Sequence, residues 1–74
     1  MNNKTYVGLD FHKNFSEMCF QDKSGVILER LRVKTSILET VLRNRKNLEI
    51  AIEASGGVFD ISMKLEKLGH KVRM

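Results

Sequence analysis

The sequence predicts an α/β fold with a mixed sheet, because two hydrophobic patterns follow one another along the chain. Apolar and polar residues roughly alternate over residues 5–33, which is typical of strands with one buried face. From Lys34 onward, two stretches with apolar residues at helical spacing enclose one short apolar segment. Three antiparallel strands followed by right-handed crossovers give a mixed sheet, in which the fourth strand can lie beside the first. We therefore expect the order strand, strand, strand, helix, strand, helix, strand.

The first strand is predicted at residues 6–13, YVGLDFHK, and it carries a carboxylate, Asp10, near its end. Successive side chains of a strand point to opposite faces. One face should hold Thr5, Val7, Leu9 and Phe11, and the other Tyr6, Gly8, Asp10 and His12.

The second and third strands are predicted at residues 15–22 and 26–33, after a tight connection at Lys13 and Asn14. Between them, residues 22–25 (DKSG) form a turn signal in which Gly25 can take the positive φ that a short hairpin needs. Four large side chains are expected in the core: Phe15, Met18, Phe20 and Phe59.

The remaining elements are two helices and two strands. Ser36 and Glu39 match a capping box at the start of the first helix, and Asn47 breaks its pattern. The apolar segment 48–54 is the fourth strand, with Glu53 near its end on the face opposite the apolar residues. The second helix begins at residues 55–57 (SGG) and ends at Gly69, where a left-handed residue is expected. Residues 70–74 begin a fifth strand.

Size and composition limit the possible functions. With 74 residues the chain, residues 1–74, forms one domain, and a deep substrate-enclosing cavity is not expected. A formal charge of +4 favours association with polyanions without requiring it. No apolar run reaches the roughly 20 residues of a membrane span, and residues 1–4 do not resemble a signal peptide. We expect a cytoplasmic protein in which the single cysteine, Cys19, is a half-buried strand residue.

Two carboxylates, Asp10 and Glu53, are the candidate catalytic residues and metal ligands. If their strands are parallel neighbours, the two side chains meet near the carboxyl ends, where open α/β sheets bind ligands. Carboxylates this close must share a proton, spread apart or hold a cation, and hard cations such as Mg²⁺ or Mn²⁺ take oxygen ligands. The alternative is that both acids are solvated strand ends without a chemical role.

Five further residues are candidates for contact with nucleic acid. His12 and Lys13 lie next to Asp10 and could contact a phosphate, although basic residues at strand ends are usually only solvated. Ser55, Gly56 and Gly57 could offer backbone N–H groups to an anion, although a simple turn explains them equally well.

Three segments together resemble one family of enzymes: residues 6–13 (YVGLDFHK), residues 52–58 (IEASGGV) and residues 68–73 (LGHKVR). They are similar to the N-terminal part of the RuvC-like DEDD domain of insertion-sequence transposases, a group that includes the pilin-gene inverting recombinase. The resemblance runs from Tyr6 to Arg73. The order and separation of the three segments carry the resemblance.

The resemblance implies a ribonuclease H-like fold with sheet order 3-2-1-4-5, in which Asp10 is the first D of DEDD and Glu53 is the E. Such proteins bind Mg²⁺ and cut and rejoin DNA, and some are guided by an RNA. The full-length protein is expected to be a homo-oligomer. Ser55 stands where the family often has threonine.

The resemblance also implies that the site is incomplete in this sequence. The family's last two aspartates lie downstream of the fifth strand, whereas this sequence ends at Met74, and Asp60 lies on a helix in the wrong place to replace them. We therefore expect a part of a longer transposase, truncated after the fifth strand and inactive alone.

Two other functions remain open. Sugar kinases and actin-like ATPases share this fold, but they need a glycine-rich turn after the first aspartate, and residues 11–14 (FHKN) contain no glycine. A basic, non-catalytic module that binds nucleic acid or protein would have no use for Asp10 and Glu53. Substituting the two acids distinguishes this module from a catalytic domain.

Overall fold

The computed structural model describes residues 4–54 and 58–73, which form five strands, two α-helices and one 3-10 turn. The elements are β1 (Thr5–Phe11), β2 (Phe15–Gln21), β3 (Ile27–Lys34), the 3-10 turn (Thr35–Ile37), α1 (Leu38–Arg43), β4 (Leu48–Ala54), α2 (Val58–Lys67) and β5 (Lys71–Arg73). The predicted order of elements is therefore confirmed.

The five strands form one mixed sheet in the order β3-β2-β1-β4-β5. β2 is antiparallel to both β1 and β3, whereas β4 is parallel to both β1 and β5. This is the order 3-2-1-4-5 of a ribonuclease H-like sheet, and it confirms the predicted fold class. The arrangement makes β4 the direct neighbour of β1, although 36 residues separate Phe11 from Leu48 in the chain.

One face of the sheet packs against the helices. Alternation within the strands directs Val7 and Leu9 of β1, and Ile50 and Ile52 of β4, into the same core as Leu65 of α2. The other core residues are Met18, Phe20, Leu38, Leu42, Leu48 and Ile61. The opposite face, which we call the open face, carries the alternate residues of each strand.

Positive φ values occur at turns and helix ends, as the sequence predicted for two glycines. Gly25 has φ 90° in the β2–β3 turn, and Gly69 has φ 99° after α2. Gly69 donates its N–H to Glu66, and His70 donates its N–H to Leu65, which together form a Schellman motif. Asn47 also has a positive φ, 57°, immediately before β4.

Two expectations were wrong. Ser36 does not cap α1, because the chain passes from β3 through the 3-10 turn and neither helical segment has a side-chain cap. Phe15 is not in the core. It lies on the open face with 43% of its surface exposed, and the guanidinium carbon of Arg32 lies 4.8 Å from the centre of its ring.

His70 is buried, with 5% of its surface exposed, and it contacts two consecutive elements that lie more than 20 residues before it in the chain. Its Nε2 lies 2.7 Å from the carbonyl oxygen of Leu42 at the end of α1. Its Nδ1 accepts the N–H of Leu48 at the start of β4, at 3.4 Å. The imidazole therefore carries its proton on Nε2 and bridges the two ends of the α1–β4 connection.

An ion pair lies across the edge of the core at the start of β3. The guanidinium of Arg45 makes two hydrogen bonds to the carboxylate of Glu29, at 2.7 and 3.0 Å, and it stacks 4.4 Å from the ring centre of Phe20. Hydrogen bonding by Arg45 lowers the pKa of Glu29, and the same contact raises the pKa of Arg45. Likewise, hydrogen bonds from the Ser24 side chain and the Val26 N–H lower the pKa of Asp22.

We expect Glu29→Gln to reduce the loss of stability in acid. Because the folded pKa of Glu29 lies below its ordinary value of 4.5, its contribution is fully present above that value and is lost as the pH falls through the lower folded value. Urea unfolding between about pH 6 and about pH 3 measures the free energy of unfolding, which should fall less steeply with decreasing pH in the variant than in the wild type. Glu66→Gln, at an exposed position of α2, is the control. An unchanged slope in Glu29→Gln would contradict the assignment.

Neither of the described helices has the length and apolar character that crossing a membrane requires.

Candidate functional site

Asp10 and Glu53 lie side by side on the open face. They are register partners on the parallel strands β1 and β4, and both are exposed. Neighbouring strands lie about 4.8 Å apart, and residues in register share a face. The expectation that β1 and β4 are parallel neighbours, with Asp10 beside Glu53, is therefore confirmed.

A third carboxylate, Glu17, lies on the other side of Asp10. Glu17 of β2 is the register partner of Asp10 in the antiparallel pair, and it is exposed on the same face. The row Glu17, Asp10 and Glu53 thus runs across three adjacent strands, and we call it the acidic row. Sequence reasoning missed Glu17.

A signal for Glu17 was nevertheless present in the sequence. The predicted tight connection at Lys13 and Asn14 fixes the β1–β2 register, because residues equally distant from the centre of a hairpin connection face each other. Counting outward from that centre pairs Asp10 with Glu17, which is the register observed.

His12 and Lys13 follow Asp10 at the end of β1. His12 Nε2 lies 2.9 Å from Asp10 Oδ1, and both side chains are more than half exposed. His12 and Lys13 also line a depression at this end of the sheet, together with Phe15 and Arg32. His12 therefore lies against Asp10 and also lines the depression, whereas Lys13 only lines the depression.

Hydrogen bonds from Thr35 hold the turn that follows Asp10. The hydroxyl of Thr35 donates to the carbonyl of His12 at 2.5 Å, and the Thr35 N–H donates to the carbonyl of Asn14 at 2.9 Å. The buried Ser16 Oγ lies 2.7 Å from Thr35 Oγ1. Since Thr35 has a single hydroxyl proton, which goes to His12, Ser16 is the donor in that contact. Thr35 thus positions the residues next to the acidic row.

Thr35→Val is expected to destabilise the domain by about 1–3 kcal/mol, because it leaves the buried Ser16 hydroxyl without its acceptor. Urea unfolding measures the loss, and amide NMR should show shifts at His12 and Asn14. Thr35→Ser keeps the hydroxyl and serves as the control, so it should retain most of the stability. A larger loss in Thr35→Ser than in Thr35→Val would indicate that the methyl group, and not the hydroxyl, matters.

Two further expectations from the sequence concern anion binding and metal binding. Ser55, Gly56 and Gly57 lie outside the described residues, so their proposed role in anion binding stays a prediction. Within residues 4–54 and 58–73, no group of three His, Cys, Asp or Glu side chains is arranged to hold a metal ion. The acidic row is thus a set of adjacent carboxylates and not a closed ligand cage.

The electrostatics of the acidic row favour a bound cation. Like charges directly opposite each other on a sheet are destabilising, and Asp10 has a carboxylate on each side. A hard divalent ion neutralises such a pair and takes oxygen ligands in preference to nitrogen or sulfur. Exposure leaves Asp10 and Glu53 accessible to an ion and to a phosphate group.

A comparison of the chain with protein-family models found no match, and a search of curated proteins found no significant match either.

Proposed function

We propose that this chain is the N-terminal part of a RuvC-like catalytic domain of a DNA transposase or recombinase. In this proposal, Asp10 and Glu53 are two of the four acidic ligands of Mg²⁺, and Mn²⁺ can replace it. The bound ion would stabilise the attacking and leaving oxygens during phosphoryl transfer. The chain's own contribution is to hold two carboxylates at a fixed separation on a rigid sheet.

The observation that carries the proposal is the pairing of Asp10 with Glu53 on adjacent parallel strands. Segments distant in the sequence bring together the two acids that the resemblance assigns to the site. The sheet order β3-β2-β1-β4-β5 is also the order that the resemblance implies. His12, whose Nε2 lies 2.9 Å from Asp10 Oδ1, would orient that carboxylate.

We further propose that the protein works in the cytoplasm, with DNA as its substrate and a guide RNA as an optional partner. The full-length protein would act as a homo-oligomer. Because the proposal assigns only two of the four acids to this chain, metal binding is the first property to test, ahead of DNA cleavage.

A Mn²⁺ titration followed by amide NMR tests the proposal. We expect paramagnetic broadening centred on Asp10 and Glu53 at low Mn²⁺ concentrations, with weaker effects at Glu17 and His12. Asp10→Asn and Glu53→Gln should each weaken binding at least tenfold, because each removes an anionic oxygen ligand.

Asp60→Asn is the matched control, since it removes one negative charge from an exposed position on α2. It should leave the broadening unchanged. If the broadening were spread over all acidic residues and the three substitutions affected it equally, the proposed metal site would be contradicted. A non-catalytic binding module would then be favoured.

A further inference from the structure

Three basic residues form a line along β3 on the open face. The β2–β3 register pairs Arg30 with Cys19, Arg32 with Glu17, and Lys34 with Phe15. Their partners on β2 belong to the open face, so the basic residues do too. We call Arg30, Arg32 and Lys34 the basic strip. Successive members are about 6.8 Å apart, since they lie two positions apart along the strand.

The basic strip is not neutralised within the protein. All three residues are exposed, and none of the ion pairs found in the described part of the chain includes them. Arg32 is the register neighbour of Glu17, yet its guanidinium stacks on Phe15 instead. By contrast, Arg45 and Arg73 each contact a glutamate at 3.1 Å or less. Three uncompensated cations in one line fit a linear polyanion by charge complementarity.

The basic strip lies beside the acidic row. A depression of about 330 Å³ has Asp10 and Glu17 on one side and Arg30 and Arg32 on the other. Gly8 lies in the same depression, and a Cβ added there would meet no atom within 4 Å. The surface above Gly8, beside Asp10 on β1, is therefore open. β3 and β1 are two strands apart, so the strip runs about 10 Å from Asp10.

We propose that the basic strip binds the backbone of a single strand of nucleic acid and carries it past the acidic row. A single line of cations matches one phosphate backbone, whereas a duplex presents two. The Arg32 guanidinium, stacked on the partly exposed Phe15 ring, adds a planar surface on which a base can stack, as bases do on aromatic side chains and on Arg guanidinium planes. This inference rests on the proposed function in taking the ligand to be the strand on which Asp10 and Glu53 act.

The alternative for a charged edge strand is protection against edge-to-edge pairing. The basic residues would then keep copies of β3 apart and would need no ligand. Ile27 and Leu28, at the start of the same strand, and Val26, just before it, are exposed apolar residues that such pairing would cover. The two roles differ in what removal of the charges changes: oligonucleotide affinity in one case and self-association in the other.

Fluorescence anisotropy with a labelled oligothymidylate of about 16 nucleotides measures the binding. The test variant combines Arg30→Gln, Arg32→Gln and Lys34→Gln, and the matched control combines Lys46→Gln, Lys64→Gln and Lys67→Gln. The control removes the same charge from exposed positions outside the sheet. Measurements in EDTA keep the result independent of any metal.

We expect the test variant to bind at least tenfold more weakly than the wild type at low salt. The slope of log K against log salt, which is negative, should become less steep by about 2, since each phosphate contact on a single strand contributes about −0.7. The control should keep most of the affinity, and a duplex of equal length should depend less on the strip. Equal losses in both variants, or unchanged binding accompanied by dimer formation in the test variant, would overturn the proposal.

The outcomes for the two proposals are separable. If the strip binds the strand but Asp10 and Glu53 bind no metal, Asp10→Asn will leave oligonucleotide binding in EDTA intact and Mn²⁺ will cause no local broadening. If the metal site exists and the strip has no role, Mn²⁺ will still broaden the Asp10 signal in the test variant. The strip substitutions will then leave the affinity for the oligonucleotide unchanged.

Discussion

Replacing His70 by alanine is expected to lower the free energy of unfolding by about 2–4 kcal/mol, because it removes two hydrogen bonds and leaves buried backbone groups without partners. The imidazole donates to the Leu42 carbonyl and accepts from the Leu48 N–H, and the latter is at the start of a buried strand. A domain of 74 residues has a total stability of roughly 4–11 kcal/mol, so this one side chain is a large part of it. Thermal unfolding should shift by about 4–8 °C for each kcal/mol lost.

Two conservative variants separate the hydrogen bonds of His70. Asparagine places an oxygen near the position of Nδ1 and can still accept from Leu48, whereas glutamine places an amide near Nε2 and can still donate to Leu42. Each should recover part of the loss seen in His70→Ala. His12→Ala is the control, since that histidine is exposed and should change stability by less than about 0.5 kcal/mol. If all three His70 variants lost the same amount, packing alone would explain the effect.

The fold could be predicted from the sequence because apolar residues recur regularly, at strand spacing in the strands and at helical spacing in the helices. In β1, Val7 and Leu9 are buried while Gly8 and Asp10 are exposed, as strict alternation predicts. In α2, Ile61 and Leu65 recur at helical spacing and both are buried. Gly25 and Gly69 mark the turn and the helix end, because only a residue without a Cβ takes those φ values at little cost. Local chemistry was sufficient at these positions.

The sequence did not predict the roles of Ser36, Phe15 and His70, because each depends on contacts between residues that are distant in the chain. Ser36 has the sequence of a helix cap, but Thr35 is already fixed by hydrogen bonds to the His12 and Asn14 carbonyls, so the chain enters α1 through a 3-10 turn. Phe15 has the composition of a core residue, but the register of β2 places it with Glu17 on the open face. His70 reads as the start of a strand, and only the packed α1–β4 connection gives its ring two partners.

The candidate site was predictable in part for a similar reason. Asp10 and Glu53 interrupt apolar strands, so each was visible locally, and their meeting required only that β4 lie beside β1. Glu17 is one acid in an alternating strand, and its importance depends on the register of a hairpin. Arg30, Arg32 and Lys34 stand at alternate positions in the sequence, but their lack of acidic partners is a property of the folded surface.

Asp10→Asn is expected to have opposite effects on stability with and without a divalent ion. In EDTA, the substitution removes repulsion from Glu17 and Glu53, so it should raise the free energy of unfolding by about 0.2–1 kcal/mol. With Mg²⁺ at about 100 times its dissociation constant, the wild type should gain about 2.7 kcal/mol, because the ion binds the folded state alone. With binding at least tenfold weaker, the variant should gain no more than about 1.4 kcal/mol, so the order of stability should reverse.

This reversal in the order of stability distinguishes a metal site from two solvated carboxylates that bind no ion. Solvated strand ends predict a small gain in EDTA that persists in Mg²⁺, reduced only by the screening that any salt provides. Sodium chloride at matched ionic strength therefore serves as the control for Mg²⁺. A cycle with Glu53→Gln adds a second check: the two substitutions should be non-additive in EDTA, since each removes the same repulsion, and the double variant should be insensitive to Mg²⁺. Identical responses of wild type and Asp10→Asn to Mg²⁺ would remove the basis for assigning Asp10 and Glu53 to a metal.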